Sequence, residues 1–238
     1  MVGGLVQLTA DGLDVDTRMS GFTVSPHEEC AVEEAVRITE REGGTVTVLT
    51  LGPPEAADQL RDMLALGAHR AVLLETDGRE WGPTATAAAI AQAVTGPEFP
   101  SFPLLIFGNE AADTGGYQVG IRVAHLLGLP CVTGVKRLAL AGGVQRAGRE
   151  NEEVEVAQPA VDTVREGINL PRYPSLPGRL RARRAEITVQ RPEFQPDGLR
   201  KERLRVPAVP RQQAQILGHG VDGVPALVRV LDDLSVLP

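Results

Sequence analysis

The sequence predicts an α/β fold with a mostly parallel sheet flanked by helices, and three observations point there. Short runs dense in β-branched and aliphatic residues alternate with amphipathic segments across the first half of the chain. Glycines and prolines punctuate the boundaries between them. At Phe107–Val123 (FGNEAADTGGYQVGIRV) a glycine-rich, acidic loop separates an apolar run from a helical segment. Alternation of this kind implies parallel strands covered by helices on both faces. Ligands bind such sheets beyond the carboxyl ends of the strands.

Met1–Val24 is short, mixed and glycine-rich, with possible strands at Leu5–Leu8 and Leu13–Val15 around an Asp11-Gly12 turn. Ser25-Pro26-His27-Glu28 then opens a helix. Serine can cap it, proline suits its first position, and Glu28 and Glu29 suit its positive end. Ala31, Val32, Ala35, Val36 and Ile38 supply the apolar stripe, which places Glu33, Glu34 and Arg37 outside. Gly43-Gly44 stops the helix. Thr45–Leu51 reads as a strand, Glu55–Leu66 as a helix closed by Gly67, and Arg70–Leu74 as a strand. An alanine-rich helix follows over Thr84–Val94, then a proline-broken linker and the apolar strand Phe102–Phe107. Helix is expected again through Leu127.

From Cys131 the pattern changes. Val135–Leu140, a glycine turn and Val144–Arg146 predict a β-hairpin, with short strands at Val154–Val156 and Ala160–Val164. Asn169–Gly178 carries three prolines in seven residues and is expected to be loop. A basic run, Arg179–Arg184, follows it. The tail from Pro192 is rich in proline and arginine, including Arg200, Lys201, Arg203, Arg205 and Arg211, with a final helix at Pro225–Leu234. Such a tail can barely bury itself, so it either wraps a partner or is partly disordered. The expected organisation is an α/β domain over 1–187 and an arm over 188–238.

The 238 residues are 42 % hydrophobic but only 3 % aromatic, so the core is aliphatic and small. A formal charge of −7 argues against general nucleic-acid binding. Cys30 and Cys131 lie far apart with no Cys/His cluster, which fits two thiols in a reducing cytoplasm and not a zinc site. No apolar run reaches the roughly 20 residues of a membrane span. His27, His69, His125 and His219 have no carboxylate or thiol at triad or ligand spacing, and no phosphate-loop or nucleophile-elbow motif is present. The run Glu150, Glu152, Glu153 and Glu155 reads as a solvated hairpin face. Phe107–Val123 has the order of a phosphate cradle, because backbone N–H groups and a helix dipole favour an anion there. It also has the order of a plain α/β turn. The arginines after Gly178 are either a solvated basic face or a docking surface for an acidic partner.

Four blocks, in order over roughly residues 13–187, resemble the β subunit of the electron transfer flavoproteins. They are AVEEAVRITE at Ala31–Glu40, LTLGPPEAADQLRDMLALGAHRAVLL at Leu49–Leu74, GNEAADTGGYQVGIRVAHLLGLPCVTGVKRL at Gly108–Leu138, and PAVDTVREGINLPRYPSLPGRLRARR at Pro159–Arg184. The PRYPSLP segment is the most specific, because fold physics alone does not demand it. The resemblance implies an adenine-nucleotide α-hydrolase-like sheet and a heterodimer with an α subunit that holds most of an FAD. It implies AMP, or a second FAD, in this subunit. It also implies electron transfer from acyl-CoA-type dehydrogenases to a membrane quinone reductase or other acceptor, with no turnover chemistry.

Matched position by position, the nucleotide contacts fall on Ser25, Pro26, His27 and Glu28, on Leu51, and on the loop Gly108, Asn109, Glu110, Ala111, Ala112, Asp113, Thr114, Gly115, Gly116, Tyr117, Gln118 and Val119. Dehydrogenase docking falls on Tyr173, Leu176, Pro177, Arg181 and Arg184, with Leu176 as the anchor. Three departures stand beside this. The family's opening strand, ending in a Val-Lys-Arg-like turn, is missing, and Met1–Asp16 resembles the family's segment just after that strand. Either the start codon is placed too late or the strand is lost. The loop reads ADTGGYQVG, between the patterns of the AMP-binding and bifurcating branches. Gln145-Arg146-Ala147 replaces the usual Glu-Arg-Glu at the subunit interface. A stand-alone AMP/ATP-binding module and a degenerate non-flavin paralogue are the alternatives.

Overall fold

The computed structural model describes residues 7–17, 23–99, 101–196, 198–199, 201–206 and 216–236. The chain divides into two compact units, one of residues 17–201 and one of residues 1–16 with 202–238.

In the larger unit α1 (Pro26–Glu42) leads to β1 (Thr47–Gly52), α2 (Ala57–Leu66), β2 (Arg70–Glu75), α3 (Pro83–Val94), β3 (Leu104–Gly108) and α4 (Val119–Leu127). Then come β4 (Cys131–Val135), β5 (Arg137–Ala141), β6 (Val144–Gly148), β7 (Glu153–Ala157), β8 (Ala160–Val164), α5 (Leu176–Arg184) and β9 (Thr188–Gln190). The alternation expected over the first half is present. In that half β1, β2 and β3 are rich in aliphatic residues, Pro26 and Pro83 open α1 and α3, and Gly67 and Gly128 follow α2 and α4. Gly43 at φ +83° ends α1, in a region that favours glycine.

The strands form three three-stranded sheets, ordered β1-β2-β9, β3-β8-β4 and β5-β6-β7. The first two are parallel throughout and the third is antiparallel. Gly142 and Gly143, both at positive φ, make the two-residue turn between β5 and β6. The core falls into three clusters. One packs Val36, Val48, Leu60, Leu64 and Leu73, with Ala182 of α5. A second packs Ala31, Val132, Val135 and Val164 with Ala147 of the hairpin sheet. The third packs Val72, Leu74, Ile90 and Val123.

Four expectations need correcting. Ser25 stands at the N-cap position of α1 but its side chain makes no cap hydrogen bond. Glu33 and Glu34 are buried, because the segment 169–172 covers the face of α1 that periodicity assigned to water. The strand at Ala160–Val164 is not an extension of the hairpin. It is the fully buried centre of the second parallel sheet. The loop ends earlier than the prolines suggest: Ser175 Oγ accepts from the Gly178 amide, and α5 starts at Leu176-Pro177, where a proline costs no hydrogen bond.

In the smaller unit Leu8 and Val15 form an antiparallel bridge around a turn held by Asp11, and Gly12 accepts a backbone bond from Leu204. The predicted strand at Leu5–Leu8 lies largely outside the described residues, as do Arg200 and Arg211. The last helix is α6 (Val224–Asp233).

Candidate functional site

The carboxyl end of β3 is tied down by one side chain. Asn109 Oδ1 accepts from the Gly134 amide at 2.8 Å and from Thr163 Oγ1 at 2.7 Å, joining the loop to β4 and β8. The loop then closes on itself, with Ala111 N donating to Gly116 O and Gly115 N to Ala111 O. Gly115 sits at φ +63°, which an L side chain rarely adopts. Tyr117 donates its hydroxyl to the Glu110 carboxylate. Helix α4 follows with Gln118 at its N-cap position, and Gly120 lets it approach β3 and β8. A Cβ there would lie 2.8 Å from Thr163 Cγ2 and 3.2 Å from the Phe107 side chain.

The start of α1 meets the same end of β3. Glu28 places its carboxyl against Gly108, where an added Cβ would stand 2.6 Å from Glu28 Cδ. Burial raises the Glu28 carboxyl above its ordinary range; its own backbone amide and His27 pull it down, and the Asp113 charge adds to the rise. His27 Nδ1 lies 3.4 Å from the Val164 carbonyl. Ser25 Oγ and Glu28 Oε2 are buried with no hydrogen-bond partner among the described residues.

A cavity of about 530 Å³ opens here. It brings together Glu28, Leu51, Gly108, Asn109, Ala111, Gly116, Tyr117, Gln118 and Val119 of the expected nucleotide contacts, and adds Phe107, Gly120 and Thr163. Ser25, Pro26, His27, Glu110 and Gly115 are not in its lining, and Ala112, Asp113 and Thr114 are exposed. Thr163 had no sequence signal as a site residue, because only the sheet order sets β8 beside β3. The apolar wall suits an adenine ring, and the start of α4 offers polar contacts to a ribose or phosphate. The residues present fit an adenine nucleotide, most closely at its adenosine end. The acidic Glu110 and Asp113 are the weakest part of that fit.

The second predicted region is a segment clamped onto α1. Arg172 donates to Glu33 at 2.9 and 3.2 Å and to Glu40 at 2.6 and 2.9 Å, and its amide donates to Glu33 at 3.2 Å. Asn169 Nδ2 reaches the Cys30 carbonyl at 3.0 Å and Glu34 at 2.9 Å, and Arg37 bonds the Leu170 carbonyl at 3.0 Å. Burial alone would raise Glu33, but the Arg172 and Arg37 hydrogen bonds outweigh it and hold the carboxyl below the usual range. Beyond the clamp Tyr173 is 96 % exposed and Leu176 71 % exposed. Pro177, Arg181 and Arg184 are exposed as well, and Arg181 also leans on the Leu64 carbonyl at the end of α2. Glu33, Arg172 and Asn169 carried no signal in the sequence, since no local pattern pairs residues some 139 positions apart.

A family model described as "Electron transfer flavoprotein domain" matches residues 13–194. The chain belongs to the electron transfer flavoprotein family. Among curated relatives named "Electron transfer flavoprotein subunit beta", the Bacillus subtilis protein is 36 % identical over 172 residues, 70 % of this chain and 66 % of that protein. The Mycobacterium tuberculosis protein is 37 % identical over 193 residues, 77 % of this chain and 72 % of that protein. The Bradyrhizobium diazoefficiens protein is 34 % identical over 189 residues, 76 % of this chain and 74 % of that protein. The chain thus spans 66 % of the length of the first of these relatives. The span matched to the electron transfer flavoprotein domain takes in the whole cradle and the clamped segment. Among the described residues no group of three His, Cys, Asp or Glu could hold a metal, and no helix is long and apolar enough to cross a membrane.

Proposed function

We propose that this chain is the β-type subunit of a heterodimeric electron transfer flavoprotein, an electron carrier and not an enzyme. The observation that carries the reading is the exposed Tyr173/Leu176 surface on a segment held rigid by Glu33 and Arg172, inside the family match. Exposed apolar side chains on a pre-ordered segment lose little entropy on docking, which suits brief, productive encounters. Leu176 is the anchor for an acyl-CoA-type dehydrogenase, with Tyr173 and Pro177 beside it and Arg181 and Arg184 meeting acidic groups on its rim. Quinone reductase or another acceptor takes the electrons onward.

A bound FAD, held mainly by an α-type subunit, supplies the electron-accepting and electron-donating chemistry. The residues of this chain seat an AMP or a second FAD. Leu51, Phe107 and Val119 form the apolar wall. The amides from Gly116 to Gly120 meet the ribose and phosphate, with Ser25 at the start of α1, and the Glu28 carboxyl, raised above its ordinary range by burial, faces the same space. Gly108, Asn109, Glu110, Ala111, Ala112, Asp113, Thr114 and Gly115 shape the loop, with Pro26 and His27 setting the start of α1 beside it. Residues 188–238 form an arm for the partner subunit, and the compartment is a reducing cytoplasm. A free-standing nucleotide module would leave Tyr173 and Leu176 with nothing to do.

Co-expression with the α-type partner tests this. The purified complex is expected to show flavin absorbance bands, and acid release followed by chromatography to give FAD with AMP, or FAD alone in excess of one per heterodimer. A colourless complex, or a stable lone chain that binds ATP, sinks the reading.

A further inference from the structure

The chain stays fastened to the larger unit beyond its last strand. Strand β9 runs parallel to β2, with Val72 opposite Thr188 and Leu74 opposite Gln190. Past Gln190 the chain therefore continues alongside the loop that follows β2. Four contacts hold it there. Gln190 Nε2 donates to Glu98 at 2.7 Å, beyond the end of α3. Arg191 Nε donates to Glu75 at 2.8 Å. Phe194 meets Trp81 edge to face, with ring centroids 5.1 Å apart and planes at 77°. Lys201 Nζ lies 2.9 Å from the Glu80 carboxylate. All of these residues belong to the larger unit, which ends at Lys201.

The aromatic contact is the strongest of the four. Glu80, Glu98 and Arg191 are exposed, and polar pairs in water contribute little. Phe194 is half-buried and is the only aromatic residue after Tyr173. Arg79 Cζ stands over its ring, 4.5 Å from the centroid. Asp77 holds that guanidinium in place, accepting from Arg79 Nε at 2.7 Å. An edge-to-face ring pair and a cation over a ring each add attraction beyond the area they bury. Trp81 in turn packs on the core cluster of Leu74 and Ile90, so Phe194 is joined to the interior through it. Pro192 and Pro196 restrict the backbone on either side of Phe194.

We infer that residues 190–201 form a strap along the loop 75–81, that Phe194 is its pin, and that the pinned strap pre-orders the start of the tail for the partner subunit. Phe194 is a positioning residue and acts through the tail it places. A segment that is already fixed loses less freedom on binding than one that must be ordered at that moment. The partner half of this inference rests on the flavoprotein reading. The strap itself rests on the contacts of Phe194, Trp81 and Arg79.

Hydrogen exchange on the full chain, and partner affinity in the co-expressed complex, are the tests. Trp81 is the only tryptophan, so the indole N–H gives one signal. Its Nε1 is buried with no hydrogen-bond partner among the described residues, and an open strap lets water reach it. In Phe194→Ala that proton and the amides of Arg191, Glu193 and Gln195 are expected to exchange at least about 10-fold faster than in the parent. The dissociation constant for the α-type partner is expected to rise about 10-fold, as for a tail whose binding-competent form falls to roughly a tenth. Flavin per assembled complex stays unchanged, and Phe194→Tyr, which keeps the ring, restores both values. Arg79→Gln leaves every aromatic in place and is expected to move both quantities in the same direction by about 3-fold, so the comparison survives a Phe194→Ala chain that does not fold. Unchanged exchange in these variants overturns the strap. Faster exchange with an unchanged dissociation constant overturns the pre-ordering. A parent chain that binds no α-type partner overturns the flavoprotein reading and the pre-ordering together, while exchange on the lone chain still decides the strap.

Discussion

Glu33 on α1 and Asp162 on β8 are both withdrawn from water, at 1 % and 0 % exposure, yet their surroundings push their carboxyls in opposite directions. Glu33 faces Arg172 and Arg37, and both of its oxygens are bonded. It stays ionised. Asp162 meets one neutral partner, Gln145 Nε2 at 2.9 Å, while Asp162 Oδ2 and Gln145 Oε1 have no partner among the described residues. Burial pushes its carboxyl up to about 7, against a smaller pull from that hydrogen bond. Burial alone does not set the charge of a carboxyl; the partner that reaches it does. The clamp therefore ties a surface segment to a helix through charge. The Asp162–Gln145 pair ties the hairpin to the parallel sheet through one hydrogen bond from a neutral amide.

The largest effect expected from disturbing this contrast is at Asp162. Its native pKa lies above the unfolded value, so the folded state holds a proton that the unfolded state has lost. Its stabilisation is complete below about 4 and is lost as pH rises through about 7, a total of roughly 4 kcal/mol. Asp162→Asn should flatten the fall in stability between pH 5 and pH 7 and be more stable than the parent at pH 8, in urea titrations at each pH. An unchanged slope would mean that Asp162 is ionised in the native state.

Next comes Arg172→Ala, which removes the main partner of a buried carboxylate and should cost about 3 kcal/mol, seen as a lower thermal midpoint. The clamp has the opposite pH sign: Glu33 is depressed, so its contribution is present at neutral pH and falls away on acidification. Arg172→Ala should therefore lose more stability at pH 7 than at pH 4. Asn169→Ala removes two hydrogen bonds and should cost about 1–2 kcal/mol, with faster amide exchange around Leu170. Smallest in stability is Leu176→Ala, within about 0.5 kcal/mol because the side chain is already in water. Its effect belongs to docking: electron delivery from a dehydrogenase should slow with flavin content unchanged. If the rate survives Leu176→Ala but falls in Arg172→Ala, the clamp and not the leucine governs docking.

Much of the fold was legible in the sequence because local rules decided it. Pro26 and Gly43 bound α1, the Gly142-Gly143 turn joins β5 to β6, and β-branched density marks β1. The cradle was legible as strand, loop and helix, and nine of its expected contacts line one cavity. Glu33 was misplaced because helical periodicity reports one buried face, and α1 is covered on two. Leu176 was read as loop because proline is a poor helix former everywhere except the first turn, where Leu176-Pro177 lies.

By itself the sequence determined the α/β class, the order of elements and the family blocks, since periodicity, capping and turn chemistry act over a few residues. Only the tertiary structure decided that Ala160–Val164 is the centre of a parallel sheet, that Arg172 closes on Glu33, and that β1 and β3 line one cavity. Those outcomes depend on groups far apart in the chain reaching the same place, where a buried charge or an unpaired amide must find its partner.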